Sequence, residues 1–291
     1  MSARMYKFNF MIPFTLLLLI LCGTAVRSGT QASEQGIAEV NGTKLFYETL
    51  GKGPTVVLIH GGLGDSRLWD DQMKQFAKHH KVLRYDLRSF GKSTSATAPF
   101  SHIEDLRALL DFLHINKATL VGLSLGGMIA ADFALEYPDR VERLVLVDAG
   151  LRGDKQPPPR DAKEAYEAIR RGAEPFADVA MRSDLYRAVK PNSAIYKRLR
   201  GMVIDNYRSL ASPSLSRYPE TPTIDRLGSI SPQTLVVIGD QDDQRLKNIS
   251  DLLAAKIPSA RLVTIQGSSH HPPVEKPKAF NRVVLEFIDA H

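Results

Sequence analysis

In the stretch Gly122-Leu123-Ser124-Leu125-Gly126 a serine sits between two glycines, where an apolar run gives way to a helix-like pattern. Ala118 to Val121 has the continuous apolar character of a buried strand, and Met128 to Tyr137 carries Ala, Ile, Phe and Leu at helical spacing. Ser124 therefore falls on the turn between them. Glycine at 122 and 126 removes the side chains that would collide in so sharp a bend. A serine pushed out on such a turn is placed to act as a nucleophile. Its hydroxyl is weak at neutral pH, so the chemistry also needs a base within hydrogen-bond reach and an acid to orient that base.

The sequence holds 8 histidines. His79, His80, His102 and His114 fall in expected helices or at their ends, where solvated or capping roles account for them, and His291 is the last residue. His60, His270 and His271 remain. The last two share the loop Gly267-Ser268-Ser269-His270-His271-Pro272-Pro273-Val274-Glu275, directly after the last expected strand. Loops at the carboxyl ends of strands in an open parallel sheet share one edge, so this loop and the Ser124 turn can meet. The same geometry selects the acid, because Ile238-Gly239-Asp240-Gln241-Asp242-Asp243 leaves the preceding strand on that edge. Asp242 is the expected carboxylate, with Asp240 and Asp243 as close alternatives and Asp148, after the run Leu144 to Val147, as a separate one. The carboxylate would hold the imidazole in one tautomer and stabilise its charged form.

The elements that must position these residues are legible as an alternation. Ile37 to Val40 and Leu45 to Tyr47 are short strands around Asn41-Gly42, a dipeptide suited to a tight hairpin. Thr55 to Ile59 reads as a strand buried on both faces, followed by a helix from about Arg67 to Ala77 and a strand from Val82 to Tyr85. Ser101-His102-Ile103-Glu104 has capping-box spacing and opens a helix to about Leu113. After the Ser124 unit and the strand Leu144 to Val147 the pattern changes. Pro157 to Pro159 break the chain, and Glu164 to Arg171 and Asn192 to Tyr207 look helical with no strand run between them. Gln233 to Ile238 and Arg261 to Ile265 resume the strands, and a helix from about Lys276 to Asp289 follows. This predicts an α/β fold, a mostly parallel central sheet flanked by helices, with its core in residues 33–149 and 232–291 and an inserted helical cap in 150–231.

With the chain order Ser, Asp, His, these segments resemble the α/β-hydrolase superfamily from His60-Gly61 through Ser124 to His270 and the closing helix. The resemblance implies an oxyanion hole built from two backbone amides, Gly62 after the third strand and Leu125 after the nucleophile, with His60 in a structural role. Asp86-Leu87-Arg88-Ser89-Phe90-Gly91-Lys92-Ser93 is similar to the family's Asp-x-Arg-Gly-x-Gly-x-Ser loop, with Ser89 where glycine is usual, a change of loop shape rather than chemistry. His270 to Glu275 followed by Pro277 matches the family's His-x-x-x-x-Glu-x-Pro ending, which favours His270 over His271 as the base.

Serine rather than aspartate at position 124 argues against alkyl-enzyme chemistry of the epoxide hydrolase or haloalkane dehalogenase kind. It implies acyl transfer to water, with small carboxylic esters or lactones as substrates and the cap closing over the acyl site. Alternatives of the same fold are a serine C–C bond hydrolase, a cofactor-free perhydrolase, or a small-molecule binding or sensing module. No zinc-ligand spacing or phosphate-binding glycine loop occurs, so neither metal nor cofactor is expected. Trp69, Tyr186, Tyr196, Met202 and Tyr207 are candidates to line an apolar pocket or to pack cap on core. Arg187, Lys197, Arg198 and Arg200 make the cap basic and permit an acidic substrate.

The 291 residues, 43% of them hydrophobic, suffice for one large domain. The net charge of +6 is spread among 32 acidic residues without a basic stripe, which argues against nucleic acid as a partner. Residues 1–32 read as a secretory signal, with Arg4 and Lys7 before an apolar run from Phe10 to Cys22 and small-residue cleavage points after Ala25 or Ala32. The expected location is secreted or periplasmic, or membrane-anchored if that segment is retained. Its removal would take away Cys22, the one cysteine, so no disulfide or thiol chemistry is expected. Oligomeric state has no sequence signature here.

Overall fold

The computed structural model describes residues 1, 33–211 and 215–290; the secretory signal read in residues 1–32 otherwise lies outside the described residues. Eight strands form one sheet: β1 (Glu34–Val40), β2 (Thr43–Leu50), β3 (Thr55–Ile59), β4 (Lys81–Tyr85), β5 (Ala118–Leu123), β6 (Val141–Val147), β7 (Gln233–Gly239) and β8 (Ala260–Ile265). Their order is β1-β2-β4-β3-β5-β6-β7-β8. β1 and β2 form the antiparallel hairpin, closed by Asn41 and Gly42 at φ 46° and 68°, a two-residue turn that matches strand twist. β2 pairs antiparallel to β4, and the pairs from β4 to β8 are parallel.

The helices are α1 (Asp70–Phe76), α2 (His102–Phe112), α3 (Leu125–Glu136), α4 (Ala162–Ile169), α5 (Ala173–Ala180), α6 (Ala194–Asp205), α7 (Tyr207–Ala211), α8 (Gln244–Lys256), α9 (Pro272–Glu275) and α10 (Pro277–Ile288). Successive side chains of a strand face opposite ways, and the core divides accordingly. Val57, Ile59, Leu120, Leu144, Leu146, Val236 and Ile238 meet α2, α3 and α8 on one face. Val56, Leu58, Val121, Val145, Val147, Leu235 and Val237 meet α1, α10 and the helices of 150–231 on the other. This two-sided burial is why the strands read as unbroken apolar runs rather than alternating ones. Among the described residues no helix is long and apolar enough to cross a membrane.

Three details depart from the expected elements. α5 forms although Pro175 is its third residue, a first-turn position where the missing N–H costs no intrahelical bond. The helix expected over 192–207 breaks at Asn206, whose side chain accepts from Gly91 N (2.8 Å) and donates to Asp65 Oδ2 (2.9 Å). α8 had no counterpart in the expected set, although Leu246, Ile249 and Leu253 form its buried stripe.

Candidate active site

Ser124 stands between β5 and α3 at φ 55° and ψ −112°, a region that costs a side-chain-bearing residue about 1–3 kcal/mol. Backbone hydrogen bonds hold it there: Ser124 N donates to Val147 O (2.9 Å), and Ser124 O accepts from Met128 N (3.0 Å) and Gly150 N (3.1 Å). The flanking glycines are sterically required. A Cβ at Gly122 would lie 2.3 Å from Gly126 O, and one at Gly126 would lie 2.2 Å from Ile59 O.

The loop after β3 reaches the same turn. A Cβ built on Gly61 would lie 3.3 Å from Ser124 Cβ, and one on Gly62 would lie 3.6 Å from Leu125 Cδ2. Leu125 opens α3, so its amide has no intrahelical acceptor. His60 fixes the loop: Nδ1 donates to Gly61 O (2.8 Å) and Nε2 accepts from Leu87 N (2.9 Å), which defines one neutral tautomer. Burial also lowers its pKa. Asp65 ties the loop to Arg67, with two hydrogen bonds of 2.7 and 2.8 Å, and to Asn206. In the neighbouring loop Ser89 adopts φ 77°, the left-handed conformation glycine would take more cheaply, and its Oγ accepts from Ala96 N (2.9 Å).

His270 Nδ1 donates to Asp242 Oδ2 at 2.9 Å, and both side chains are buried. Asp242 Oδ1 accepts from Asp243 N (2.7 Å). Burial pushes the Asp242 carboxyl up, but His270 and the hydrogen bonds it receives outweigh that and leave it below the ordinary carboxylate range. The other acids are occupied differently. Asp240 accepts from Ser268 N (3.1 Å), and Asp243 caps α8 by accepting from Arg245 N (2.8 Å). Asp148 neither replaces Asp242 nor stands apart from it: it is fully buried, and its Oδ1 accepts from Gly239 N (3.0 Å).

His271 is buried, stacks on Tyr186 with ring centroids 4.8 Å apart and meets His270 edge-on at 5.2 Å. Burial and the neighbouring His270 lower its pKa to about 3, so it is a neutral packing residue. His80 and His102 are also buried, unlike the solvated roles their helix-end positions suggest. His80 Nε2 pairs with Asp289 at 2.9 Å, and His102 packs edge-on against Phe100.

Glu275 organises the histidine loop, a role carried by the family ending but not by the residue alone. Its Oε2 accepts from Ser269 N (2.7 Å) and Ser268 Oγ (3.2 Å), and its Oε1 from Ser269 Oγ (2.9 Å) and His271 N (3.0 Å). His270 N in turn donates to Leu185 O (3.2 Å) in the 150–231 segment. That segment is clasped at both ends by Asp132 of α3, which takes Arg152 Nε (2.7 Å) and the Thr223 hydroxyl, while Arg152 also donates to Pro219 O and Thr221 O.

A cavity of about 320 Å³ lies beside Leu63 and Leu185, walled by Ala165, Phe176 and Ala180 and rimmed by Asp243. The aromatic and Met residues expected to line a pocket do not surround this one. Trp69 and Tyr186 are core residues against Phe280 and His271, Met202 is on the buried side of α6, and the Tyr207 hydroxyl bonds Ile169 O. The basic residues of 150–231 are largely neutralised: Arg187 pairs with Asp184, Arg198 with Asp71 and Arg200 with Asp178. Asp148, Asp242 and His270 are the one set among the described residues whose ligand atoms, within 4.8 Å of one another, have the spacing to hold a cation. Asp242 and His270 spend their facing atoms on each other.

The sequence model of the family described as alpha/beta hydrolase fold matches residues 54–277. A proposed carbamate hydrolase, RutD, from Azorhizobium caulinodans is 29% identical over 252 residues, which are 84% of this chain and 94% of that protein. The 2-hydroxy-6-oxo-6-phenylhexa-2,4-dienoate hydrolase of Comamonas testosteroni is 27% identical over 274 residues, 84% of this chain and 91% of its own. The crystal structure of the enol-lactonase from Burkholderia xenovorans LB400 is similar at a TM-score of 0.75 and 27% identity, covering 88% of this chain and 100% of that one.

Proposed function

Since the chain belongs to the alpha/beta hydrolase family and is a hydrolase, we propose that it cleaves small carboxylic esters or lactones through an acyl-enzyme formed on Ser124. The observation that carries this reading is a serine held at φ 55° after β5 together with a buried Asp242–His270 hydrogen bond of 2.9 Å in the loops after β7 and β8, all at the carboxyl edge of the parallel sheet. In the proposed cycle His270 Nε2 takes the Ser124 proton as Oγ attacks the carbonyl. The amides of Gly62 and Leu125 receive the oxyanion, and Asp242 stabilises the imidazolium. His270 then protonates the leaving group and afterwards activates water for deacylation. No step calls on a metal or cofactor.

The three relatives are named for a carbamate, an oxo-dienoate and a lactone, so a carbonyl is the group their names share. The 320 Å³ cavity is lined by neither Ser124 nor His270, but it borders Leu63 and Leu185, whose carbonyl accepts from His270 N; read as an extension of the acyl site under residues 150–231, its small size favours a short acyl or alkyl portion. The two arginines lining the cavity are paired to acids, Arg160 to Asp184 and Arg182 to Glu164, so a neutral ester or lactone fits better than a polyanion.

Turnover of p-nitrophenyl esters of graded chain length and of simple lactones tests the reading, together with fluorophosphonate labelling that disappears in Ser124→Ala. Absence of labelling refutes the activated serine and leaves a binding module. Labelling with no ester turnover, but cleavage of a vinylogous diketone acid, replaces the esterase reading with C–C hydrolysis. Export through residues 1–32 belongs to the same proposal. Recovery from a secreting host of a protein beginning after Ala25 or Ala32 supports it, and retention of Met1 overturns it.

A further inference from the structure

Two carboxyl groups, not one, stand behind His270. Asp148 follows β6 and Asp242 follows β7, and parallel pairing of these strands brings the two residues together. One carboxylate oxygen of each and one ring nitrogen of His270 lie within 4.8 Å of one another, and both aspartates are fully buried. Asp148 is held by its own backbone, with N donating to Val237 O (2.8 Å), and by Gly239 N donating to Oδ1 (3.0 Å). It adopts φ 43°, a conformation that Asp tolerates better than most side chains but that still costs free energy. Its Oδ2 is buried and has no hydrogen-bond partner, while a carboxylate oxygen of Asp242 lies within 4.8 Å of the Asp148 carboxyl group.

Two carboxylates at this separation in a buried site do not both ionise. Asp242 accepts from His270 Nδ1 and Asp243 N, which marks it as the anion. We infer that Asp148 is kept as a neutral carboxylic acid that donates its O–H to the Asp242 carboxylate, making it a positioning residue that sets how strongly Asp242 draws charge onto His270. Burial, followed by the Asp242 charge, pushes the Asp148 carboxyl well above the ordinary range, in agreement with that geometry. The other titratable groups facing the cluster are Glu275, which adds to the upward push on Asp148, and the buried neutral His271.

This inference rests on the proposed role of Asp242 and His270, and its test separates the two. Asp148→Ala deletes the donor. Asp242 then pulls harder on the imidazolium, and the acid limb of the kcat/KM profile moves up by about half a pH unit or more. Asp148→Asn supplies an N–H donor in the same place and still accepts from Gly239 N, so it returns the limb to the wild-type position. A merely structural role would lower turnover without moving the limb. An Asn variant that behaves like Ala would mean that the residue acts as an anion, and either result overturns the inference. Independently of turnover, the infrared difference spectrum between wild type and Asp148→Asn at neutral pH shows the carbonyl band of a protonated carboxylic acid in wild type alone. Its absence from wild type sinks the inference even if every kinetic result agrees. Full turnover by Ser124→Ala would defeat the hydrolase reading instead, leaving the infrared arm to decide on Asp148.

Discussion

Gly126 offers the sharpest test of whether backbone geometry, beyond side-chain identity, carries the proposed chemistry. A Cβ at this position would lie 2.2 Å from Ile59 O and 2.7 Å from His60 O. Relief to even 3.0 Å requires α3 and the end of β3 to separate by at least about 0.8 Å, since both obstacles are backbone in a packed sheet and neither can swing aside. The displaced segment leads directly into Gly61 and Gly62, and the other side of the contact carries Leu125. Gly126→Ala therefore moves the two proposed oxyanion amides apart while leaving Ser124, Asp242 and His270 chemically intact. Overpacking of this size costs about 1–3 kcal/mol of stability, which a domain with about 5–15 kcal/mol in hand survives folded. Misplacement by about 1 Å costs on the order of a hundredfold in rate, and a fully lost oxyanion donor costs about 10²–10³. The expected result is a fall of roughly 10²–10⁴ in kcat/KM for a p-nitrophenyl ester, with an intact circular dichroism spectrum and a modestly lower denaturation midpoint. Turnover within about threefold of wild type in a folded Gly126→Ala protein would refute the elbow argument.

Glu275→Ala removes the acceptor of four hydrogen bonds and leaves Ser269 N and His271 N without their partner, so chemical denaturation registers a loss of about 2–4 kcal/mol and kcat falls as the His270 loop loosens; unchanged stability contradicts the pinning role. His102 and His271 have pKa values lowered by burial to about 3. The unfolded chain binds their protons from about pH 6.5 downward while the folded protein does not, so stability falls as pH drops through that window. Each histidine contributes at most about 1.4 kcal/mol per pH unit, and urea titrations between about pH 7 and about pH 5 detect the sum; a flat stability profile rejects the burial argument. Asp132→Ala strands Arg152 and opens the clasp at both ends of 150–231, with an expected cost of about 3–5 kcal/mol, whereas replacing both partners by apolar residues costs less; equal losses in the two variants count against the buried pair.

The sheet was legible because each strand buried on two faces leaves an unbroken apolar run, and because Asn41-Gly42 admits little besides a hairpin. The Ser124 turn was legible for a similar reason: glycines at 122 and 126 are demanded by contacts of 2.3 and 2.2 Å, so the local sequence carries the constraint itself. Asp242 was harder to separate from Asp240 and Asp243. All three follow β7, and what distinguishes them is the donor each meets: Ser268 N for Asp240, Arg245 N for Asp243, and the His270 imidazole for Asp242. The partners of Asp240 and Asp242 come from the loop after β8, and the cap of Asp243 belongs to a helix that the pattern did not show, so one-dimensional spacing could not rank the three. Ser101 illustrates a partial match: its hydroxyl accepts from Glu104 N, but the Glu104 carboxylate turns to Arg107 and Tyr137 instead of completing the box.

Asp148 shows what linear reading loses in such a site. As a sequence, Asp148 and Asp242 are rivals for one role, because each follows a strand on the edge that carries Ser124. In the sheet those strands are neighbours, with Val147 beside Val237, so the two candidates occupy adjoining positions behind one histidine. On the proposed reading, competition for a role becomes cooperation in it: a buried pair has room for a single negative charge, and whichever group has more donors keeps it. Asp242 has the donors, from His270 and Asp243, while Asp148 has Gly239 N alone. Exchange of those donor sets, rather than loss of either aspartate, is therefore what would move the charge. A variant that adds a donor to Asp148 Oδ2 should weaken His270 as a base even with the Ser124, Asp242 and His270 side chains all in place.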